Sequence, residues 1–208
     1  MKTVVINYGM GNLGSVRRAL EECGADVAVS ENPSALANAE RIVLPGVGAF
    51  GEGMQNLHAA QWPAAVKRAL ENPRVALLGI CLGMQLLADK GYESGETEGL
   101  GLVAGDVRRM PASNGERLPH VGWNEVAIRQ QSPLLTDIES GTDFYFVHSY
   151  RLNARRKKDV VAETPYCGEF ASVVQNGNVF GAQFHPEKSS RAGFQLLRNF
   201  LSRSIVDA

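Results

Sequence analysis

The sequence predicts an α/β domain of three layers, with helices on both faces of a central mixed sheet that is mostly parallel. The first half of the chain alternates short apolar strands with amphipathic helical segments. Residues 75–80 form a nearly continuous apolar run, as expected for a strand that helices cover on both faces. The second half is richer in extended segments. Because 208 residues suit one globular domain, we expect residues 1–208 to form a single domain.

In the first half, apolar runs that end in glycine-rich turns predict strands over residues 3–7, 26–30, 41–44 and 75–80. After the first turn, apolar residues at i, i+3, i+4 and i+7 predict a helix that Ser15 caps and Gly24 ends. Helical patterns fill residues 52–70, in which Pro63 suits a first helical position. A further helix is predicted from residue 82 to about residue 90.

In the second half, three segments are predicted to be extended, residues 143–150, 159–163 and 170–184. Asn176-Gly177 lies between two apolar runs and is typical of a two-residue hairpin loop. The C-terminal segment is predicted to be helical, because Leu196, Leu197, Phe200 and Leu201 share one face.

The composition excludes several functional classes. Lys and Arg total 21 and Asp and Glu total 22, so the formal net charge of −1 does not suit a nucleic-acid binder. The longest apolar stretch, residues 75–84, is ten residues long, whereas a membrane span needs about 20. The apolar run near Met1 is too short for a secretory signal. We therefore expect no membrane or nucleic-acid partner and a cytoplasmic location.

The three cysteines, Cys23, Cys81 and Cys167, are odd in number and far apart. This spacing favours neither a disulfide framework nor a zinc site, and no metal is expected.

The first glycine-rich turn, Gly9 to Gly14, spells G-x-G-x-x-G between a strand and a helix, and Glu31 ends the second strand 17 residues on. This pattern is typical of dinucleotide binding. The alternative is a tight strand-to-helix turn that needs glycine only for its backbone conformation.

The second glycine-rich turn, Pro45 to Gly51, repeats the same spacing, but the end of the next strand carries Cys81 where a ribose would need an acid. Backbone N–H groups of such a turn can bind an anion. The pattern favours donors for an oxyanion over a cradle for phosphate, with a plain turn as the alternative.

Cys81 lies in Gly79-Ile80-Cys81-Leu82-Gly83, between a buried strand and a helix. The pattern is that of a nucleophile elbow with cysteine in place of serine. Amides at the start of the helix favour the thiolate, and the Leu82 amide is expected to point where an oxyanion would form.

His185 is the histidine best placed to serve Cys81, because it ends an apolar strand and is followed by Pro186 and Glu187. A thiolate nucleophile needs a base and a group that orients the base. His185 and Glu187 fit these two roles, and the reaction class they indicate is acyl transfer through a thioester.

These segments resemble the class I (triad-type) glutamine amidotransferases, which have a flavodoxin-like three-layer fold. The resemblance is in GICLGMQLL around Cys81, FHPEKS around His185 and the PGVG turn. Within that family, YGMGNL, PGVGAFGEGM, PHVGWN and FYFVHSY resemble the glutaminase subunits of imidazole glycerol phosphate synthases. The resemblance covers nearly the whole chain.

The resemblance implies that L-glutamine is the substrate, that no cofactor is needed, and that Cys81, His185 and Glu187 form the catalytic triad. It implies an oxyanion hole from the turn and the elbow, namely Gly46, Val47, Gly48 and Leu82. It also implies a set of residues that bind the amino-acid end of glutamine, namely Gln85, Glu93, Ser149 and Tyr150. Ser149 stands where the family often has threonine, a departure that keeps the hydroxyl.

The resemblance further implies a heterodimer with a cyclase subunit, a (β/α)8 barrel that takes up the ammonia and makes imidazole glycerol phosphate and aminoimidazole carboxamide ribotide for histidine biosynthesis. Asn12, Trp123 and Lys188 match positions at that interface. For Trp123 the alternative is ordinary half-buried packing, and for Lys188 a solvated charge.

Three other functions stay open on the residues alone. A glutaminase subunit could serve a different ammonia-using synthase, the first glycine turn could belong to a dinucleotide-binding oxidoreductase, and the chain could be a non-catalytic regulatory module. The intact Cys81, His185 and Glu187 argue against the last of these.

Overall fold

The computed structural model describes residues 1–112 and 115–205. The strands are β1 (Lys2–Ile6), β2 (Asp26–Ser30), β3 (Arg41–Gly46), β4 (Ala76–Cys81), β5 (Lys90–Gly91), β6 (Thr97–Glu98), β7 (Gly105–Arg109), β8 (His120–Ile128), β9 (Thr142–His148), β10 (Tyr150–Ala154), β11 (Val160–Pro165), β12 (Glu169–Asn176) and β13 (Val179–Ala182). The α-helices are α1 (Leu13–Glu22), α2 (Phe50–Ala59), α3 (Trp62–Leu70), α4 (Leu82–Leu86) and α5 (Ser190–Leu201).

Within the part of the chain that the structure describes, nine strands form the main sheet in the order β2-β1-β3-β4-β13-β12-β11-β8-β9. The pairs from β2 to β13 are parallel, and those from β13 to β9 are antiparallel. Because β3, β4 and β13 are neighbours and parallel, their carboxyl ends meet at one edge. This edge brings the second glycine turn, Cys81 and His185 together, although they are distant in sequence.

Alternate residues of the central strands face two separate hydrophobic clusters, which is the period of two that an extended strand imposes. Val5, Val43 and Leu78 pack in one cluster with α1 and α5, and their neighbours pack in the other with α2 and α3. The predicted three-layer α/β fold with a mixed sheet is therefore confirmed.

The helical patterns predicted over residues 52–70 form two helices, α2 and α3, and Pro63 lies in the first turn of α3 as predicted. Gln61 adopts a left-handed conformation (φ 61°) and separates the two helices. Three other predicted boundaries were wrong. The helix predicted from residue 82 to about residue 90 ends at Leu86. The carbonyl groups of residues 86–88 accept hydrogen bonds from the amides of residues 100–103 instead of continuing the helix. Asn12, not Ser15, caps α1. The loop of the β12–β13 hairpin is Gly177-Asn178, one residue later than predicted.

The sequence did not predict the second sheet, which has the order β10-β7-β5-β6. Its strands β5 and β6 have two residues each, too few to show a hydrophobic period. Within the described residues, no helix is long and apolar enough to cross a membrane.

Candidate active site

Cys81 lies at a sharp junction between β4 and α4. Its backbone has φ 55° and ψ −111°, a region that residues other than glycine rarely adopt. A methyl group on Gly83 would overlap the Leu44 carbonyl oxygen, and one on Gly79 would lie 2.6 Å from the Gly83 carbonyl oxygen. The two flanking glycines therefore let the strand and the helix approach closely enough to hold Cys81 in this strained conformation.

The His185 side chain links Cys81 to Glu187. The Cys81 side chain lies near enough to the imidazole to raise its pKa, and Cys81 Sγ itself donates to the Val147 carbonyl at 3.7 Å. His185 Nδ1 lies 2.9 Å from Glu187 Oε1. The His185 and Glu187 side chains are only 5% and 1% exposed. Cys81, His185 and Glu187 therefore form one buried cluster.

The charge state of His185 depends on these two neighbours. Burial is the largest influence and lowers its pKa, but the hydrogen bonds and charge attraction from Cys81 and Glu187 outweigh it and raise the pKa from 6.5 to about 10. At neutral pH the site therefore favours a positively charged imidazole that can donate a proton.

The loop that carries His185 is tied to β9. The His185 amide donates to the Tyr145 carbonyl at 2.9 Å. Ser189 Oγ donates to the His185 carbonyl at 2.6 Å and accepts from the Tyr145 amide at 3.0 Å. These bonds fix the backbone on both sides of the imidazole.

A cavity of about 330 Å³ opens above Cys81, and we call it the Cys81 cavity. It is lined by Val47, Gly48, Cys81, Leu82, Gln85, Glu93, Pro119, Val147, His148, Ser149, Tyr150, His185 and Lys188. All four residues predicted to bind glutamine are in this lining. Gly46 is not: it lies beneath the turn, where a methyl group would come within 2.9 Å of Leu82 Cβ.

Two polar side chains of the lining already have protein partners. Gln85 Nε2 donates to the Tyr150 carbonyl at 3.0 Å and to Gln183 Oε1 at 3.1 Å. Glu93 Oε2 accepts from the Phe50 amide at the start of α2, at 2.8 Å. These bonds hold both side chains in fixed orientations at the wall of the cavity.

Of the three residues predicted at a partner interface, one lines the cavity. Lys188 is exposed and lines the cavity. Trp123 is 54% exposed on β8 and packs edge-on against Tyr145, with ring centroids 6.0 Å apart. Asn12 caps α1, accepting from the Ser15 amide at 3.4 Å.

The first glycine turn packs against the second. A methyl group on Gly11 would touch the Pro45 ring at 3.6 Å. The Glu31 carboxylate, the candidate ribose partner, accepts from Asn7 Nδ2 at 2.9 Å. Among the described residues, no group of three or more His, Cys, Asp or Glu side chains could hold a metal ion.

Sequence reasoning missed two buried side chains next to the site. Gln183 Nε2 donates to Cys81 Sγ at 3.8 Å, and His148 lines the cavity. The signal for Gln183 was a polar residue in an apolar strand, two positions before His185 and so on the same face. His148 had no such signal, because its neighbours come from other strands.

The chain is similar to known proteins over most of its length. Residues 4–204 match the family described as glutamine amidotransferase class-I. A relative in Moorella thermoacetica, imidazole glycerol phosphate synthase subunit HisH, is 48% identical over 196 residues, or 94% of this chain and 92% of the relative. The HisH subunit of Aquifex aeolicus is 45% identical over 96% of each chain.

Solved structures share the fold at low identity. One described as a glutamine amidotransferase has a TM-score of 0.75 at 19% identity and covers 99% of each chain. PurLQS from Thermotoga maritima has a TM-score of 0.74 at 22% identity over 96% of this chain and 97% of the other. The chain therefore belongs to the class-I glutamine amidotransferase family and, within it, to the family of HisH subunits of imidazole glycerol phosphate synthase.

Proposed function

We propose that this chain hydrolyses L-glutamine to glutamate and ammonia and delivers the ammonia to a cyclase subunit that makes imidazole glycerol phosphate and aminoimidazole carboxamide ribotide in histidine biosynthesis. The observation that carries the proposal is that Cys81 and His185 line one cavity of about 330 Å³ while Glu187 Oε1 lies 2.9 Å from His185 Nδ1. A nucleophile, a proton carrier and an orienting carboxylate are the groups that acyl transfer needs.

In the first half of the reaction, the Cys81 thiolate attacks the carboxamide carbon of glutamine and forms a tetrahedral oxyanion. Backbone amides of the turn at Val47 and Gly48 and of Leu82 stabilise this oxyanion, at about 3–4 kcal/mol for each donor. The His185 imidazolium then gives its proton to the amide nitrogen. Ammonia leaves, and the glutamyl group stays on Cys81 as a thioester.

In the second half, neutral His185 takes a proton from water while the water oxygen attacks the thioester carbon. Collapse of this intermediate breaks the carbon–sulfur bond, releases glutamate and restores the thiolate–imidazolium pair. Glu187 stabilises the imidazolium and fixes its orientation throughout. Each step uses only groups of the chain, glutamine and water, so no cofactor is required.

Binding of the amino-acid end of glutamine is assigned to the far wall of the Cys81 cavity. The carboxylate lies against the turn at Ser149 and Tyr150, and the ammonium group lies between Gln85 and Glu93. The Glu93 charge and the carbonyl oxygen of Gln85 suit a cation, since carboxylates and amide oxygens accept hydrogen bonds. The four residues line one cavity with Cys81, which supports this assignment.

We propose that the cyclase, a (β/α)8 barrel, forms a heterodimer by covering the cavity mouth, with Asn12, Trp123 and Lys188 in the interface. Val121 and Trp123 are more than half exposed on the outer face of β8, and Val147 is exposed opposite Val121 on β9. An apolar patch of this kind beside a site marks a protein interface. Covering it would also keep ammonia from bulk water.

We propose that this reaction takes place in the cytoplasm. Cys23, Cys81 and Cys167 are free thiols, which agrees with a reducing compartment.

The test is ammonia release from L-glutamine, measured for the chain alone and with the barrel subunit and its nucleotide ligand. We expect weak release alone and strong stimulation by the partner. Cys81→Ala should lose at least about 10³-fold in rate, because the nucleophile is gone. Cys23→Ala is the matched control and should keep its activity, since Cys23 lies at the C-terminal end of α1 and does not line the Cys81 cavity. Ammonia release by Cys81→Ala would refute the proposed chemistry.

A further inference from the structure

Two buried histidines have no part in the proposed chemistry: His148 lines the Cys81 cavity, and His120 lies behind His148. His120 on β8 and His148 on β9 pair directly across the antiparallel ladder and are 3% and 6% exposed. His120 Nδ1 lies 3.1 Å from His148 Nε2. The His120 ring stacks between Tyr166 and Phe146, with centroids 3.9 and 4.9 Å away. The pair is therefore held rigidly from both sides.

The hydrogen-bond partners fix where each proton lies. His148 Nδ1 is 2.9 Å from the Tyr150 carbonyl oxygen, which can only accept, so Nδ1 carries the hydrogen and Nε2 accepts. His120 Nδ1 must then donate to His148, and His120 Nε2 accepts from Asn124 Nδ2 at 3.3 Å. Both rings are neutral in this arrangement. Burial lowers the pKa of His148 to about 3 and that of His120 to about 4, in agreement with two neutral rings at neutral pH.

The chain of hydrogen bonds ends on a carbonyl that also orients Gln85. The Tyr150 oxygen accepts from His148 Nδ1 and from Gln85 Nε2. The second hydrogen of Gln85 Nε2 goes to Gln183 Oε1. With both hydrogens directed into the protein, the carbonyl oxygen of Gln85 is the polar atom left for a ligand.

The hydrogen bond from His148 Nδ1 to the Tyr150 carbonyl also closes the turn at Ser149. The His148 side chain reaches the carbonyl two residues further along the chain, so it fixes the conformation of the residue between them. The Ser149 carbonyl is held in turn by the Met110 amide at 2.9 Å. Ser149 and Tyr150 both line the cavity, so their orientation toward a ligand depends on this turn.

We propose that His148, with His120 behind it, is a positioning residue for the substrate: through the Tyr150 carbonyl it fixes the turn that receives the carboxylate of glutamine and the Gln85 amide that faces its ammonium group. This inference rests on the proposed function and deepens it. Because the two rings bond to each other, to Asn124 and to the Tyr150 carbonyl rather than to Cys81, we expect the pair to act on the binding of glutamine and to leave the reactivity of the Cys81 thiol unchanged.

The first test measures KM and kcat for glutamine in the complex with the barrel subunit. His148→Leu removes both hydrogen bonds, and we expect KM to rise about tenfold or more, with kcat within threefold of wild type. A tenfold loss of binding is typical when a hydrogen bond is removed and its buried partner is left unpaired. His148→Asn keeps a donor in the position of Nδ1 and should restore KM to within threefold. His58→Leu, at an exposed histidine of α2, is the matched control and should change neither constant.

The second test compares two reagents that label Cys81. 6-Diazo-5-oxo-L-norleucine carries the amino-acid end of glutamine, and iodoacetamide does not. We expect His148→Leu to slow labelling by the glutamine analogue by the same factor as it raises KM, and to leave the rate with iodoacetamide unchanged. A general disturbance of the site would slow both reagents equally.

His120→Phe keeps the proposal testable if His148→Leu does not fold. Phenylalanine preserves the stacking between Tyr166 and Phe146 but removes the donor to His148, so KM should rise about threefold or more at constant kcat. Unchanged KM in both His148→Leu and His120→Phe, or equal slowing of both reagents, would overturn the inference. If the wild-type complex neither releases ammonia nor is labelled by the glutamine analogue, the proposed function itself fails.

Discussion

Replacing Glu187 by glutamine removes the charge that holds the His185 imidazole from behind. Glu187 Oε1 lies 2.9 Å from His185 Nδ1, and the Glu187 side chain is 1% exposed. Glutamine has nearly the same shape, so the packing should survive while the anion is lost. The perturbation therefore isolates the electrostatic part of the contact.

The size of the effect follows from the pKa of His185. Its rise from 6.5 to about 10 favours the imidazolium by roughly 5 kcal/mol, at about 1.36 kcal/mol per pH unit. Cys81 and Glu187 both contribute to this rise against the opposing effect of burial. A hydrogen bond to a charged group is typically worth about 1.5–3 kcal/mol, so Glu187→Gln should lower kcat by roughly 10- to 150-fold.

The pH dependence should change in a defined direction. The folded-state pKa of His185 is raised, so the imidazolium persists until the pH approaches about 10. Without the Glu187 charge this pKa should fall by about one to two units, since about 1.36 kcal/mol corresponds to one unit. The alkaline limb of kcat should then move to lower pH by the same amount, because His185 must be protonated to release ammonia.

The assay is ammonia release by the complex with the barrel subunit between pH 6 and 10. Glu187→Asp should recover part of the rate, and Glu71→Gln, at an exposed position beyond α3, should behave as wild type. A kcat for Glu187→Gln within threefold of wild type, with an unmoved alkaline limb, would refute this reasoning.

Three further predictions concern stability. Gly83→Ala should lower the unfolding free energy by about 3 kcal/mol or more and abolish ammonia release, because its methyl group meets the backbone of Leu44; a wild-type melting temperature would contradict this. Gly14→Ala should stabilise α1 by about 0.5–1 kcal/mol with activity unchanged, since nothing lies within 4 Å of the new methyl group; a lower melting temperature would be the contrary result. Below pH 6.5 the unfolded chain binds protons at His120 and His148, while both rings stay neutral in the folded protein. The free energy of unfolding should therefore fall by about 2 kcal/mol for each histidine between neutral pH and pH 5. His120→Phe should remove one of these two contributions, as measured by urea unfolding at a series of pH values.

The elements that could be predicted from the sequence are those with local signals. The glycines around Cys81 indicate an elbow because both positions admit no side chain, and the structure has the close contacts that explain this. His185, Pro186 and Glu187 are close in sequence, so their contact requires only a tight turn after β13.

The elements that could not be predicted depend on contacts between distant segments. The helix after Cys81 ends early because the Leu86 carbonyl accepts from the Leu100 amide, a bond that no local pattern reveals. Likewise, Gln183 lies 102 positions from Cys81 in sequence and His120 lies 28 from His148. The polar network behind the cavity therefore exists only once β4, β8, β9 and β13 are assembled.

The most direct test of the central claim is to trap the acyl-enzyme. The complex would be mixed with glutamine, quenched in acid within one turnover and digested with a protease. The masses of the cysteine-containing peptides would then be measured by mass spectrometry. We predict one glutamyl group in thioester linkage on the peptide that contains Cys81, and none on the peptides of Cys23 and Cys167. Steady ammonia release with Cys81 unmodified at every quench time, or a glutamyl group on another cysteine, would contradict the thioester mechanism.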